Sequence, residues 1–377
     1  MCKLLSGICS KVQRFWHHLF PAKEEAPPIF CPAPDSFFIH AYKIRKECVT
    51  YSGLNVSAEL TVNALVNNGF KAESIGFNDD NEIDRVLFEK RPSHFIIKAF
   101  WVRKEKLELL ARRYPSCKFY VVCHSKPSFL ACEQNGFRLL GEMVALSQKI
   151  ENVYVACNNY DASVAFQDAY DASFFYIPNI VEAYDRETAK RFHGDTLRVG
   201  IFCAIRPFKN IITQALSAIS YCEQRGLDLE LHVLTGRTEM EGDVTLKNLR
   251  DLFNKVNPSR HMLVEHPWLT HKEFMRLVEH MDIGLQVSYT ESFNIVAADF
   301  LQAGIPIVTS PAVAWTPKTW WANPDSIDSI CREMDWWLQM DTQYVDNLLQ
   351  QGEDHLRIYN YSALKVYEVL SYQRKKW

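Results

Sequence analysis

The chain lacks the features that would commit it to a membrane, a disulfide framework or a polyanion. No run approaches the roughly 20 consecutive apolar residues of a transmembrane helix, so no bilayer-spanning helix is expected. The 11 cysteines are odd in number, and no two stand in Cys-x-x-Cys spacing. Cys123, Cys157 and Cys203 fall in apolar runs that read as strands. Reduced thiols of a cytosolic protein are therefore expected, rather than a zinc site or a disulfide scaffold. An excess of positive charge is also missing: 42 Lys and Arg against 45 Asp and Glu leave a net charge of −3. That balance argues against a broad nucleic-acid-binding surface. With 47% hydrophobic and 23% charged residues, the composition is that of an ordinary folded protein. Its 377 residues suit two domains.

Acids are absent from residues 1–23, which carry Lys3, Lys11, Arg14 and Lys23. Leu4, Leu5, Ile8, Val12, Trp16, Leu19 and Phe20 fall near one helical face. This segment reads as a basic amphipathic helix, either lying on an anionic membrane surface or packed on the protein itself. Cys2 and Cys9 are candidate acylation sites. Gly7, Ser10 and Lys11 break its apolar run, which is too short for a signal peptide. Residues 22–34, with four prolines, read as a linker. Residues 1–35 are thus set apart from the folded body. The expected location is cytoplasmic, with peripheral attachment to the cytosolic membrane face if the helix binds lipid.

Beyond residue 35 the chain alternates between two kinds of segment. Residues 37–42, 72–77, 94–100, 118–124, 152–157 and 174–177 read as strands, with helices at 56–68, 82–90, 104–114 and 137–150. A charged, non-periodic stretch at 182–196 interrupts the pattern. It then restarts, with strands at 197–204, 229–235, 261–265, 283–287 and 305–308 and helices at 210–226, 244–256, 270–280, 326–339 and 361–374. Apolar strands set between helices imply parallel sheets with right-handed crossovers. The fold class is α/β: two doubly wound Rossmann-like domains, residues 36–181 and 197–358, facing an interdomain cleft. A linker at 182–196 joins them, and a C-terminal helix at 359–377 is expected to return to the first domain.

Ligands of such sheets sit at the carboxyl ends of the strands. Residues 289–310, YTESFNIVAADFLQAGIPIVTS, lie at such an end and lead into a helix. Its N-terminus offers free N–H groups and a positive dipole end to a phosphate. Glu291 and Asp299 are eight residues apart, about two helical turns, so both carboxylates face one side. Arg206 and Lys209 follow the first strand of the second domain, and together they suit a diphosphate.

The segment ESFNIVAAD from Glu291 to Asp299, followed by QAGIP, resembles the Glu-x7-Glu strand–loop–helix of the retaining GT-B glycosyltransferases of family 4. Arg206 and Lys209, the 52–55 loop SGLN, His124 after an apolar strand, and the 178–181 segment PNIV are similar to other features of that family. The resemblance covers about residues 36–373. It implies GT-B architecture and transfer of a sugar from a nucleotide-diphosphate sugar to an acceptor hydroxyl, with retention of anomeric configuration. Carried onto this chain, it implies that Arg206 and Lys209 hold the diphosphate and steady the leaving group. Glu291 would contact hydroxyls of the transferred sugar, with the backbone of Phe293, Asn294 and Ile295 at the sugar or phosphate. Asp299 would bind the ribose, and His124 would approach the sugar from the other domain. Gly53 would let its loop approach the phosphates or the acceptor. Asp299 and Asn294 depart from the pattern, which has Glu and Gly there.

Transferases of the other common sugar-transfer fold hold a metal on an Asp-x-Asp motif, which is absent here. Asp79-Asp80-Asn81, the nearest acidic cluster, is better explained by Asx-turn chemistry. Metal-independent transfer with no cofactor beyond the donor is expected. His261, His266, His271 and His280 are spread over separate elements and give no zinc set. Trp315, Trp320 and Trp321 suit either an acceptor groove or core packing. The acceptor stays open between a glycan, a lipid-linked sugar, a protein and a modified base. Two other readings stand beside the transferase: another GT-B enzyme, such as an epimerase or phosphorylase, and a non-catalytic nucleotide-sugar-binding protein.

Overall fold

The structure, a computed structural model, describes residues 30–44, 53–182, 188–189 and 192–372. The amphipathic-helix expectation for residues 1–23 falls outside them. Residues Cys31–Trp377 cluster as one compact unit built on two parallel sheets.

The first sheet holds β1 (Phe38–Lys43), β2 (Ala72–Phe77), β3 (His94–Lys98), β4 (Lys118–Cys123), β5 (Val153–Cys157) and β6 (Phe174–Tyr176). Their order is β2-β1-β3-β4-β5-β6, all parallel. Between them run α1 (Gly53–Asn67), α2 (Ile83–Lys90), α3 (Lys104–Arg113), a one-turn α4 (Pro127–Leu130), α5 (Gly136–Lys149) and α6 (Tyr160–Tyr170). The second sheet holds β7 (Thr196–Ile201), β8 (Asp228–Leu234), β9 (His261–His266), β10 (Ile283–Gln286) and β11 (Ile307–Thr309), in the order β11-β10-β7-β8-β9. Its helices are α7 (Ile211–Arg225), α8 (Gly242–Phe253), α9 (His271–Val278), α10 (Ile295–Gln302) and α11 (Ile327–Gln339), followed by α12 (Thr342–Tyr372). These are the two Rossmann-like domains of a GT-B fold.

The strand orders locate the binding crevices. Chain direction across the sheet reverses between β1 and β3 in the first domain and between β7 and β10 in the second. Loops on either side of such a switch point diverge and leave a crevice at the carboxyl edge. Every residue of β3 and of β10 is buried. Central parallel strands covered by helices on both faces require that continuous apolar character.

Two differences from the sequence reading matter. The tryptophan-rich segment after β11 packs inward: Trp320 is buried against Trp337, and the Trp315 indole is also buried. None of Trp315, Trp320 and Trp321 lines the cleft, so the acceptor-groove option for them is corrected to packing. The C-terminal helical pattern is also longer than expected, a single 31-residue helix, α12. Gly352 in its near half lies against the Trp320 ring, where a Cβ would stand 2.1 Å from a ring carbon. Its far half lies on the first domain. There the Tyr367 hydroxyl donates to Pro178 O, and His94 Nε2 lies 3.0 Å from Leu370 O. One rigid element thus packs against both domains.

Candidate active site

The core of the second domain sets the floor of the site. Gly200 and Gly284 are register partners on β7 and β10. A Cβ on either would come within 3 Å of the Phe300 ring, so the paired glycines make the seat that lets α10 lie close to the sheet. Seating Phe300 fixes the N-terminus of α10 over the β7/β10 switch point.

Asn294 caps that helix from a left-handed backbone, φ 68° and ψ 86°. Asparagine tolerates this region better than most residues. Its Oδ1 accepts from Ala297 N at 2.9 Å. Its Nδ2 donates to Gln286 Oε1 at 2.9 Å and to Glu291 Oε1 at 3.2 Å. Asn294 therefore supplies the backbone freedom of a glycine and also aims Glu291. The N–H groups of Ile295 and Val296, in the first turn, have no carbonyl partner within an α-helix, and both residues line the cleft.

Glu291 is buried and accepts from Lys209 Nζ at 2.5 Å. Burial pushes its carboxyl up, but the adjacent Lys209 ammonium and the Arg206 charge outweigh that and hold it below the usual range. Asn210 and Gln214 pin Lys209 in turn. Gln214 Nε2 donates to Lys209 O at 2.7 Å and its Oε1 accepts from Val287 N, while Asn210 Nδ2 donates to Val287 O. The end of β7 is thereby tied to the end of β10.

Arg206 donates to Glu239 Oε2 at 2.9 Å, and Arg237 donates to Glu239 Oε1. Burial raises the Glu239 carboxyl, and the two guanidinium groups bring it back below its ordinary value. Arg206 also lies over the Phe129 ring at 4.6 Å, a contact that reaches across the cleft to α4. Arg237 lies near the face of Trp268 at 5.6 Å. Asp299 is buried and takes a 2.8 Å contact from His271 Nε2. Burial raises the Asp299 carboxyl and His271 partly counters this, while the Asp299 hydrogen bond raises the His271 imidazole. The two stand as a hydrogen-bonded acid–imidazole pair on the cleft wall.

The opposite wall comes from the first domain. His124 follows β4, and its Nδ1 lies 3.1 Å from Asn158 Nδ2. Its Nε2 is buried without a partner among the described residues. Burial, and then the nearby Lys98 charge, hold its imidazole well below the usual range, so the ring is neutral.

Gly53, His124, Arg206, Lys209, Glu291, Phe293, Asn294, Ile295 and Asp299 all line one cleft of about 770 Å³ between the domains. Phe293 is buried, stacked on Trp315, whose indole N–H donates to Phe293 O at 2.8 Å. With the side chain stacked and the carbonyl engaged, the Phe293 backbone N–H is what remains for a ligand. Gly53 differs from expectation: it opens α1 instead of standing in a loop, and an added Cβ there would meet nothing within 4 Å. Among the described residues no neighbour crowds this glycine, which lines the cleft. Residues 45–52 lie outside the described residues. Asp79 Oδ1 accepts from Asn81 N at 2.7 Å, an Asx turn, and Asp80 pairs with Arg103. Among the described residues no group of His, Cys, Asp and Glu gathers as a metal site.

Arg237, Glu239, Trp268, His271 and Lys126 also line the cleft and were not nominated from sequence. Arg237 and Glu239 follow β8, and Trp268 and His271 follow β9. The rule that ligands lie at the carboxyl ends of strands would have reached all four had it been applied to every strand.

No family model matches this chain, and no curated protein matches it by sequence. Solved structures match it by fold. The trehalose-6-phosphate protein from E. coli bound with UDP-2-fluoro glucose superposes with a TM-score of 0.63 at 11% identity, covering 90% of this chain and 100% of that one. The Candida albicans trehalose-6-phosphate phosphatase N-terminal domain does so at 0.65 and 9%, covering 93% and 99%. A trehalose-6-phosphate synthase analysed with bisubstrate glycomimetics for glycosyl transfer with retention gives 0.58 and 13%, covering 87% and 81%. At these identities the likeness is one of fold.

Proposed function

We propose that this protein is a nucleotide-sugar-dependent glycosyltransferase of the retaining, family 4-like kind, acting without a metal. The observation that carries the reading is the convergence of Lys209, Arg206 and Glu291 at one switch point, opposite His124 in a single cleft. Two cations and the first-turn N–H groups of α10 suit a diphosphate. Glu291, ionised and aimed by Asn294 and Lys209, suits sugar hydroxyls. Asp299 suits a ribose hydroxyl, with His271 holding it in place. A solved structure of the same fold holds a UDP-sugar analogue, and another has been studied for transfer with retention.

In this mechanism the donor diphosphate displaces carboxylates from the two cations. Lys209 and Arg206 then neutralise the charge that grows on the leaving phosphate. The acceptor hydroxyl attacks from the face the leaving group departs and gives its proton to that phosphate. His124, neutral, faces the cleft from the first domain with Nε2 free to donate or accept. Asp299 is one methylene shorter than the Glu of the resemblance, and its pairing with His271 sets its reach.

The test is turnover with a panel of UDP-, GDP- and ADP-sugars, comparing wild type with Glu291→Ala. Proton NMR of the product reads the anomer, and EDTA tests the metal. Retained configuration, EDTA-insensitive turnover and loss in the variant are expected. An inverted product would overturn retention, and activity lost to EDTA and restored by Mn²⁺ would overturn metal independence. Nucleotide-induced stabilisation with no turnover would favour a binding protein.

A further inference from the structure

The two walls of the cleft differ in how their cations are balanced. On the second domain each is paired: Lys209 with Glu291, and Arg206 and Arg237 with Glu239. On the first domain they are not. Lys98 is fully buried, and its Nζ donates to the neutral Asn179 Oδ1 at 3.2 Å. Lys126, half-buried on the cleft wall, forms no ion pair among the described residues. A buried cation without a counterion is costly, and buried polar groups are as a rule hydrogen-bonded.

Register explains how these groups gather. His40 on β1 pairs with Ile96 on β3, and Lys98, two residues on, pairs with Val122 on β4. Paired residues of a parallel sheet share a face, and the face repeats every second residue. His40, Lys98 and His124 therefore step along one face toward the carboxyl edge. Both ring nitrogens of His40, and Nε2 of His124, are buried without partners among the described residues. His124 and Asn179 line the cleft; Lys98 stands behind them. Asp161 and Glu291 act on the Lys126 ammonium from a distance, but among the described residues no carboxylate is paired with His40, Lys98 or His124; such a group of nitrogens is built for an anion that comes from outside the chain.

We propose that this wall is an anion subsite for the acceptor: His124 Nε2 and Lys126 meet a phosphate or carboxylate group that the acceptor carries, and Lys98 supplies charge from behind through Asn179. Assigning the anion to the acceptor rests on the nucleotide-sugar reading, because that reading gives the opposite wall to the donor. Lys98 is a positioning residue, since it does not itself reach the cleft. Burial lowers its amine to about 7, so an arriving anion would draw a proton onto it.

The experiment titrates inorganic phosphate, and acetate as the carboxylate probe, into the full chain by calorimetry. It is done with and without a saturating nucleoside diphosphate, the one of UDP, GDP and ADP that stabilises the protein most. Wild type should bind phosphate or acetate with the nucleotide bound, and the tighter of the two names the group. Lys98→Met and Lys126→Gln should each weaken that binding about tenfold or more, while Arg206→Ala should lose the nucleotide response and keep the anion response. Lys98→Met should also melt above wild type at pH 7, so its loss of binding cannot be unfolding. No saturable anion binding in wild type, or unchanged binding in both Lys variants, overturns the proposal. Anion binding that the nucleotide abolishes assigns the anion to the donor and overturns it too. If no nucleotide stabilises the protein but phosphate binding depends on Lys98, the subsite stands and the nucleotide-sugar reading falls.

Discussion

Replacing Asn294 separates three jobs that one side chain does. In Asn294→Ala the helix loses its cap, worth about 1 kcal/mol. The left-handed backbone at φ 68° then carries a residue that disfavours it, at about 1–2 kcal/mol. Gln286 Oε1, buried and bonded to Asn294 Nδ2, is orphaned at about 1–3 kcal/mol. The sum is about 3–6 kcal/mol. In Asn294→Gly the backbone term vanishes and the cap costs only a few tenths, leaving about 1–3 kcal/mol, nearly all from Gln286. The glycine variant should therefore be about 2 kcal/mol more stable than the alanine variant. Urea unfolding of both, read as midpoint shifts at unchanged slope, measures the difference. Equal losses in the two variants would refute the assignment of backbone strain. A loss below about 1 kcal/mol in both would refute the role given to the Gln286 bond.

The same geometry fixes the response to three other substitutions. Lys209→Met leaves the buried Glu291 carboxylate without its ion pair and should destabilise the protein by about 3–5 kcal/mol; adding Glu291→Gln should recover most of that stability, but not nucleotide affinity, in the same unfolding and binding assays. Lys98 is a base whose folded-state value is lowered to about 7 from 10.5, so folding releases its proton between those values and stability gained there rises with pH. Lys98→Met should accordingly stabilise most at or below pH 7, by up to about 5 kcal/mol, and the gain should fade toward pH 10, a trend read from melts across that range. His271 has a raised imidazole through Asp299, so the stability it contributes is full below its ordinary value and is lost as pH rises through the higher folded value; His271→Gln should remove that alkaline loss and weaken binding of ribose-containing nucleotides more than binding of pyrophosphate.

The alternation of apolar strands and helices carried the two-sheet fold, because parallel strands buried on both faces leave an unambiguous pattern. The Glu291 segment and the Arg206–Lys209 pair were legible because short-range order alone puts them at strand ends. Asn294 was legible as a residue tolerant of left-handed backbone, and its φ of 68° agrees. Its bonds to Gln286 and Glu291 were not, since they depend on side-chain directions across a turn. Glu239 and Arg237 were missed because they carry no motif, and their meeting with Arg206 is a contact between separate loops. Lys98 was hidden inside a strand, where one Lys among apolar residues reads as an edge or an end; only the sheet order shows it to be central. Gly53 reads as a loop residue in sequence and opens the helix in the structure, because a glycine ahead of a helical pattern marks the boundary only to within a few residues. The tryptophans after β11 had no periodicity to separate groove from core.

The central claim is that the cleft takes a nucleotide-linked sugar through Lys209, Arg206 and Glu291. Its most direct test is thermal unfolding of the full chain with UDP, GDP and ADP and their sugars, for wild type and for Arg206→Ala. One nucleotide should stabilise wild type, by about 2.7 kcal/mol at a hundred times its dissociation constant, and the variant should lose most of that response. No stabilisation of wild type by any of them, or an equal response in the variant, would contradict the account.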